Sequence, residues 1–190
     1  AEARRRRAEL LIGVLDAVAR AARGEAADAA AQRGDIDKLR DMLDRRPDIV
    51  RDDGISGDSG YTPLHYAARE GHDACVSLLL GRGANVNSAT RAGGATPLHR
   101  AAFTGQERCV AMLLDADADP LVVDADGESA LHKASARGHP GVVRALLAAK
   151  GGDGAVGLRD RKGMTPVERA ADDATDHPPS RDGQCRAAET

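Results

Sequence analysis

Four near-copies of one tetrapeptide constrain this chain more than any other feature. Thr62-Pro63-Leu64-His65 returns as Thr96-Pro97-Leu98-His99, again as Ser129-Ala130-Leu131-His132, and in part as Thr165-Pro166-Val167-Glu168. The intervals are 34, 33 and 36 residues. A fixed period of ~33 residues marks a linear array, in which each unit is one supersecondary element that buries its apolar face only against its neighbours. Such a chain needs no large central core. Its composition agrees, since 42% of the 190 residues are hydrophobic yet there is no Trp, one Phe and two Tyr. Leu, Val and Ala between short helices can fill the seams of an array without aromatic volume.

Each unit reads as helix, turn, helix and extended loop. Thr62 is placed to cap a helix N-terminus, and Pro63 suits the first helical position, where a missing N–H costs nothing. Leu64 points inward, and Ala67-Ala68 keep the buried face thin so that a neighbouring helix can approach. Gly71 supplies the left-handed residue that ends the helix. A second helix from about Asp73 carries Val76, Leu78, Leu79 and Leu80 and closes near Gly83-Ala84. The next unit repeats this with Ala101-Ala102, Gly105, Val110, Met112, Leu113 and Leu114, and the one after with Ala134-Ser135, Gly138, Val142, Val143, Leu146 and Leu147. Helices this short are unstable alone and require tandem stacking. Asp58-Ser59-Gly60, Ala92-Gly93-Gly94 and Asp126-Gly127 read as tight turns at the tips of projecting loops.

The run Gly60 to Asn87 resembles the ankyrin repeat, with its Gly-x-Thr-Pro-Leu-His-x-Ala-Ala opening, Gly-His turn and Gly-Ala-x-Val-Asn ending; Gly94 to Asp124 and Gly127 to Asp160 follow the same pattern. The resemblance implies an all-α ankyrin-repeat solenoid, with helix-turn-helix units, hairpin-like fingers, about three full repeats and degenerate caps at both ends. The expected organisation is a basic amphipathic helix over 1–24, a degenerate capping repeat and loop over 25–57, repeats over 58–90, 91–123 and 124–160, a truncated cap over 161–173 and a loose tail over 174–190. In the cap, Asp172-Asp173 should stop a first helix begun at Met164. Leu10, Leu11, Val14, Leu15 and Val18 form a helical stripe behind Arg4 to Arg7. That segment reads as a shield over the first repeat, as a docking helix, or as an import or nucleic-acid handle.

Charge and cysteine usage narrow the function classes. Charged residues make up 30% of the chain but the net charge is −3, which gives no reason to expect a nucleic acid or an anionic membrane. Aliphatic runs such as Leu78-Leu79-Leu80 fall far short of the ~20 residues that span a bilayer. The stretch Leu10 to Leu15 is broken by Asp16 rather than followed by a small-residue cleavage site, so it does not read as a secretory leader. Cys75, Cys109 and Cys185 form no CxxC pair, and Cys75 and Cys109 occupy the same place in successive repeats. Buried thiols in a reducing compartment are expected, the cytoplasm first, with nucleus and cilium also compatible.

His65, His99 and His132 recur one per repeat, which sets them roughly 10 Å apart, too far for one ion with bonds near 2 Å. The resemblance instead gives each a hydrogen bond within the turn that opens its repeat. No nucleophile has a base in useful context and no phosphate-binding glycine loop appears, so no enzyme activity, cofactor, metal or small-molecule substrate is expected.

What remains is surface. The resemblance implies that finger tips and outward first-helix positions form a concave protein-binding face. Finger positions supply Asp58, Ser59, Tyr61, Arg91, Ala95, Asp126, Glu128, Arg161, Lys162 and Met164, and first-helix positions supply Tyr66, Arg69, Glu70, Arg100, Phe103, Thr104, Lys133 and Arg137. The only Phe and both Tyr fall in this set, and aromatics and arginine are common interface anchors. Arg100, Lys133 and Arg169, one per repeat, read as a basic stripe for an acidic partner surface. Reversing Arg100 and Lys133 to Glu should then weaken partner capture and leave the helical content intact. The functional expectation is a non-catalytic adaptor or scaffold. The alternatives are a structural subunit of a large assembly, cytoskeletal or ciliary, gripped through the N-terminal helix and tail, or nucleic-acid association through Arg4 to Arg7.

Overall fold

The computed structural model describes residues 27–51 and 60–176. The N-terminal stripe with Arg4 to Arg7, the lengthened loop Asp53 to Gly57, the finger residues Asp58 and Ser59, Cys185 and the tail beyond residue 176 lie outside the described residues.

The described chain is helical. Helix α1 is described over 27–33, followed by α2 (Ile36–Arg45) and a single 3-10 segment (Pro47–Arg51). The full repeats contribute α3 (Pro63–Glu70) with α4 (Asp73–Gly81), α5 (Pro97–Thr104) with α6 (Glu107–Asp115), and α7 (Ala130–Ala136) with α8 (Pro140–Ala148). Two elements close the described chain, α9 (Gly152–Val156) and α10 (Pro166–Asp176). Among the described residues the only β-pairing is an isolated antiparallel bridge between Val123 and Ser129 at the base of one finger.

Packing places α3, α5, α7 and α10 in one row and α2, α4, α6 and α8 in a second row behind it. The first row is set by the tetrapeptide. Pro63 and Pro97 occupy the first helical position, and the leucine that follows, Leu64, Leu98 or Leu131, is at most 3% exposed. Ala67, Ala68, Ala101, Ala102 and Ala134 are fully buried, which is what allows these helices to lie close together. The second row contributes Val76, Leu79, Val110, Leu113, Val142 and Leu146, all essentially inaccessible. Each such leucine contributes about 2 kcal/mol through burial, and the seam is continuous from Ala27 to Ala155. Cys75 and Cys109 are free, buried thiols in this seam.

Gly71 and Gly105 end the first helices at φ 79° and 77°, and both are crowded as well as left-handed. A Cβ on Gly105 would stand 2.7 Å from the His139 ring, which itself donates to the Phe103 carbonyl at 3.2 Å. His72 donates in the same way to the Gln32 carbonyl one repeat earlier, at 3.0 Å. The turn histidines therefore tie the first and third full repeats to the unit before each, while Gln106 stands at this position in the second.

The C-terminal part departs from expectation in two places. Gly151-Gly152 opens the short helix α9, which fits the longer interval between Ser129 and Thr165. Gly152 packs so closely that a Cβ would lie 2.1 Å from the Leu146 carbonyl oxygen. The second departure is α10, which does not stop at Asp172-Asp173 but runs past residue 173 to Asp176. Aspartate in a helix costs only about half a kcal/mol relative to alanine, and the alanines at 170, 171 and 174 outweigh it. Val167 on α10 stands where Leu64, Leu98 and Leu131 are buried, yet it is 70% exposed, because no second helix covers it among the described residues.

Candidate functional site

The face to be judged is built on the histidines of the tetrapeptide. In the first full repeat His65 Nδ1 accepts from the Thr62 N–H at 3.1 Å, with the Thr62 hydroxyl 2.9 Å away. That leaves the ring proton on Nε2, which donates to the Ala95 carbonyl of the next finger at 3.0 Å. His99 repeats the arrangement toward the Glu128 carbonyl at 3.0 Å, and His132 toward the Met164 carbonyl at 3.1 Å. Each histidine caps its own helix and holds the next finger at a fixed height. The ring of His65 is fully buried, and burial pushes its pKa from 6.5 down to about 4. Burial lowers His99 as well.

The fingers are braced by side chains at their bases. Asp124 Oδ1 accepts from the Asp126 and Glu128 amides at 2.9 and 3.0 Å, and Asp160 Oδ1 from the Lys162 and Met164 amides at 2.8 and 2.9 Å. Thr90 fills this role one repeat earlier, its hydroxyl accepting from the Ala95 amide at 3.0 Å. Adjacent fingers are also joined through their backbones, Ala125 N–H to the Gly93 carbonyl and Arg161 N–H to the Asp126 carbonyl. The residue ahead of the capping Thr or Ser is the one that changes: Tyr61, Ala95, Glu128 and Met164.

These acids also decide the fate of the basic stripe. Lys133 Nζ lies 2.8 Å from Asp124 Oδ2 and bonds Glu128 Oε2. Arg169 reaches back to Glu128 Oε1 at 2.5 Å and to Asp160 Oδ2 at 3.7 Å. All five side chains are largely withdrawn from solvent, the carboxylates at 8% exposure or less. Burial raises the Asp124 carboxyl, but the Lys133 ammonium and the Glu128 amide more than offset it and hold the group below the usual range. Burial raises Asp160 too, and the Met164 and Lys162 amides with Arg169 bring it below. Burial likewise lowers Lys133, and its two carboxylate partners raise it further than that.

Two of the three cations are thus internal braces, which corrects the expected stripe. Reversing Lys133 to Glu would bring a third acid onto Asp124 and Glu128, so that variant reports on stability before capture. Asp124, Asp126 and Glu128 also form the one group of acids among the described residues close enough together for a metal ion. The charges of Asp124 and Glu128 are answered by Lys133 and Arg169, and Asp126 is exposed.

Arg100 occupies the same helix position as Lys133 and Arg169 and meets a different environment. The finger positions that hold Asp124 and Glu128 in the next repeat are Thr90 and Ala95 here, with no carboxylate. Its guanidinium lies over the Tyr61 ring, 4.8 Å from Cζ to the centroid, and its Nε is buried without a hydrogen-bond partner. Tyr61 in turn lies 5.2 Å from the Tyr66 ring and 5.4 Å from the His65 ring. Burial raises the Tyr66 hydroxyl's pKa.

One turn along α5, Phe103 is 38% exposed with the Arg137 guanidinium 4.2 Å above its ring. Arg69 is paired with Glu70 at 2.7 Å. Arg91, Arg161 and Lys162 are exposed on the fingers, and Met164 is half-buried. The structure therefore gathers Tyr61, Tyr66 and Arg100 into one group and Phe103 with Arg137 into a second. Sequence reading placed Glu128 on a finger without pairing it, and it missed Asp124 and Asp160 as partners of the cations. Their signal was present as a repeated separation of nine residues, Asp124 to Lys133 and Asp160 to Arg169.

Paired antiparallel helices in two rows, histidine-capped and joined through projecting fingers, define an ankyrin array. The chain belongs to the ankyrin repeat family: the model of three ankyrin repeats matches residues 28–124, and that of many copies matches residues 104–147. Among similar proteins, E3 ubiquitin-protein ligase XBAT32 of Arabidopsis thaliana is 36% identical over 126 residues, 66% of this chain and 24% of its own length. Probable E3 ubiquitin-protein ligase XBOS32 of Oryza sativa is 41% identical over 66 residues, 35% of this chain and 13% of the relative. Human ankyrin repeat domain-containing protein 39 is 39% identical over 62 residues, 33% of this chain and 32% of the relative. The matched stretch spans a third or less of each of these relatives. No described helix is long and apolar enough to cross a membrane. Ankyrin repeats are a protein-protein interaction module, and that much holds for this chain.

Proposed function

We propose that this protein is a non-catalytic adaptor that binds a protein partner on the face formed by its fingers and the α3–α5–α7 row. The observation that carries the reading is the cluster of Tyr61, Tyr66 and Arg100 beside Phe103 and Arg137. Together these bring every Tyr and Phe side chain of the chain to one face, half-buried or exposed, with only Tyr66 packing in part against the seam between repeats. Aromatic and arginine side chains supply large contact area for little ordering cost, which suits them to anchor a partner. The matched stretches cover only 24% and 13% of the two ligase relatives, so the ligase names do not transfer to this chain.

The test is site-specific photo-cross-linking. A photoreactive phenylalanine analogue at Phe103 should cross-link one protein partner in native lysate, and the same analogue at Ala111, exposed on α6, should not. Cross-links from position 111 alone would move the interface to the outer row and end this reading.

A further inference from the structure

The array contains its own template for what Arg100 lacks. At this helix position Lys133 takes the carboxylate of Glu128 from its own finger, and Arg169 takes the same carboxylate from the finger before it. Ala95 stands at the register position of Glu128 and is buried to a similar depth, 4% against 6% exposed. Arg100 therefore has neither source of a carboxylate. It rests on the face of Tyr61, with Nε desolvated and unbonded. A desolvated guanidinium N–H without an acceptor is destabilising, and an incoming carboxylate would relieve that cost.

We propose that the position beside Ala95, between Arg100 and the Tyr61–Tyr66 pair, receives a glutamate or aspartate from an acidic segment of the partner protein. The inference rests on the adaptor reading above and names the chemistry its partner presents. Two features favour a peptide over a bare anion. The cation lies against an aromatic ring, and its neighbouring cations are engaged, Lys133 by Asp124 and Glu128, Arg69 by Glu70 and Arg137 by the Phe103 ring. Phe103 lies one helical turn from Arg100, so a carboxylate with an apolar residue beside it matches both features at once.

The experiment uses the full chain and a decapeptide of glutamates with one central leucine, followed through the Arg100 Nε–Hε and Tyr61 ring resonances. The peptide should shift both resonances saturably, and Arg100→Gln should weaken it by roughly tenfold or more. The glutamine counterpart of the peptide should not bind, and Arg144→Gln, exposed on α8 in the outer row, should leave affinity within about twofold. A second arm supplies the carboxylate in cis. Ala95→Glu should raise the thermal midpoint in the wild-type background but not with Arg100→Gln, and it should block the peptide.

Equal binding by wild type and Arg100→Gln would overturn the proposal, as would inorganic phosphate shifting the same resonances at the same concentration. If Ala95→Glu does not fold, the peptide titration alone decides. Cross-linking from position 103 with peptide binding indifferent to Arg100 would sink this inference and spare the adaptor reading, whereas loss of cross-linking there would remove both.

Discussion

Acidification from pH 7 to pH 5 should destabilise this array through His65, and the size of the effect follows from the ring's surroundings. His65 is fully buried, its Nδ1 occupied as an acceptor by the Thr62 N–H and its Nε2 proton committed to the Ala95 carbonyl. A second proton would have to sit on the nitrogen that the Thr62 amide already uses. Burial is the main reason its pKa falls from 6.5 to about 4, and the nearby Arg100 and His99 push the same way. The unfolded chain takes up a proton below 6.5 and the folded chain does not until about 4, so stability falls with pH across that window and the loss is complete below it. Fully expressed, the difference is about 3 kcal/mol, of which about 2 kcal/mol appears between pH 7 and pH 5. His99, also lowered by burial, adds to the fall. The depressed carboxylates Asp124 and Asp160 stabilise above the ordinary aspartate range and lose that contribution only at lower pH, outside the interval chosen. Urea unfolding followed by far-UV circular dichroism at pH 7, 6 and 5 measures the slope. His65→Gln should be less stable at pH 7 by about 1–2 kcal/mol but lose about 2 kcal/mol less than wild type on going to pH 5. An identical pH slope in the two proteins would refute the account of His65 as a ring held neutral by its capping role.

Three further outcomes follow from the same geometry. Glu128→Gln weakens the hold on both Lys133 and Arg169 and should cost about 3 kcal/mol in urea unfolding, whereas a loss below ~1 kcal/mol would mean that these pairs are not braces. Gly105→Ala places a methyl against the His139 ring in a left-handed conformation and should cost about 1–2 kcal/mol, read as a lower thermal midpoint; an unchanged midpoint would show that the turn is not constrained. Burial and the Asp73 carboxylate push the Cys109 thiol up to about 12, and burial raises Cys75 as well. Neither cysteine should react with a maleimide in native protein, and both should react in urea; prompt native labelling of either, mapped by mass spectrometry, would contradict their burial.

The fold was legible because its information is local. Thr-Pro-Leu-His announces a cap, a first turn and an inward leucine within four residues, and the period supplies the stacking. The two departures arise where local signals weaken. Gly151 to Gly157 has the composition of a loop, and α9 forms there because Ala155 and the close approach of Gly152 to Leu146 bury it against α8. Asp172-Asp173 looked like a stop, but helix propensity is a weak prior that neighbouring alanines and packing on α7 override. The site was legible only in part. Residue types at the right register picked out Tyr61, Tyr66, Arg100 and Phe103. Register alone could not show that Arg169 turns back to Glu128 in the preceding finger, because that contact depends on how high the histidines hold the fingers.

The variable residue ahead of each cap explains how one array can be both rigid and selective. In repeat proteins stability is close to a sum over units and their interfaces, so one unit can lack a brace if its neighbours keep theirs. Glu128 uses the position for bracing and neutralises two cations there. Ala95 leaves the same position without a carboxylate, and Tyr61 covers the resulting cation with a ring face, which attracts it more weakly than an anion does. The array consequently carries a local deficit of negative charge at Arg100, although the chain as a whole is net negative. A uniformly basic face would attract any acidic surface, whereas one underserved guanidinium between aromatic rings favours a partner whose carboxylate arrives at that height with apolar contact beside it. Selectivity on this reading comes from the repeat that breaks the charge pattern, held in place by the repeats that keep it.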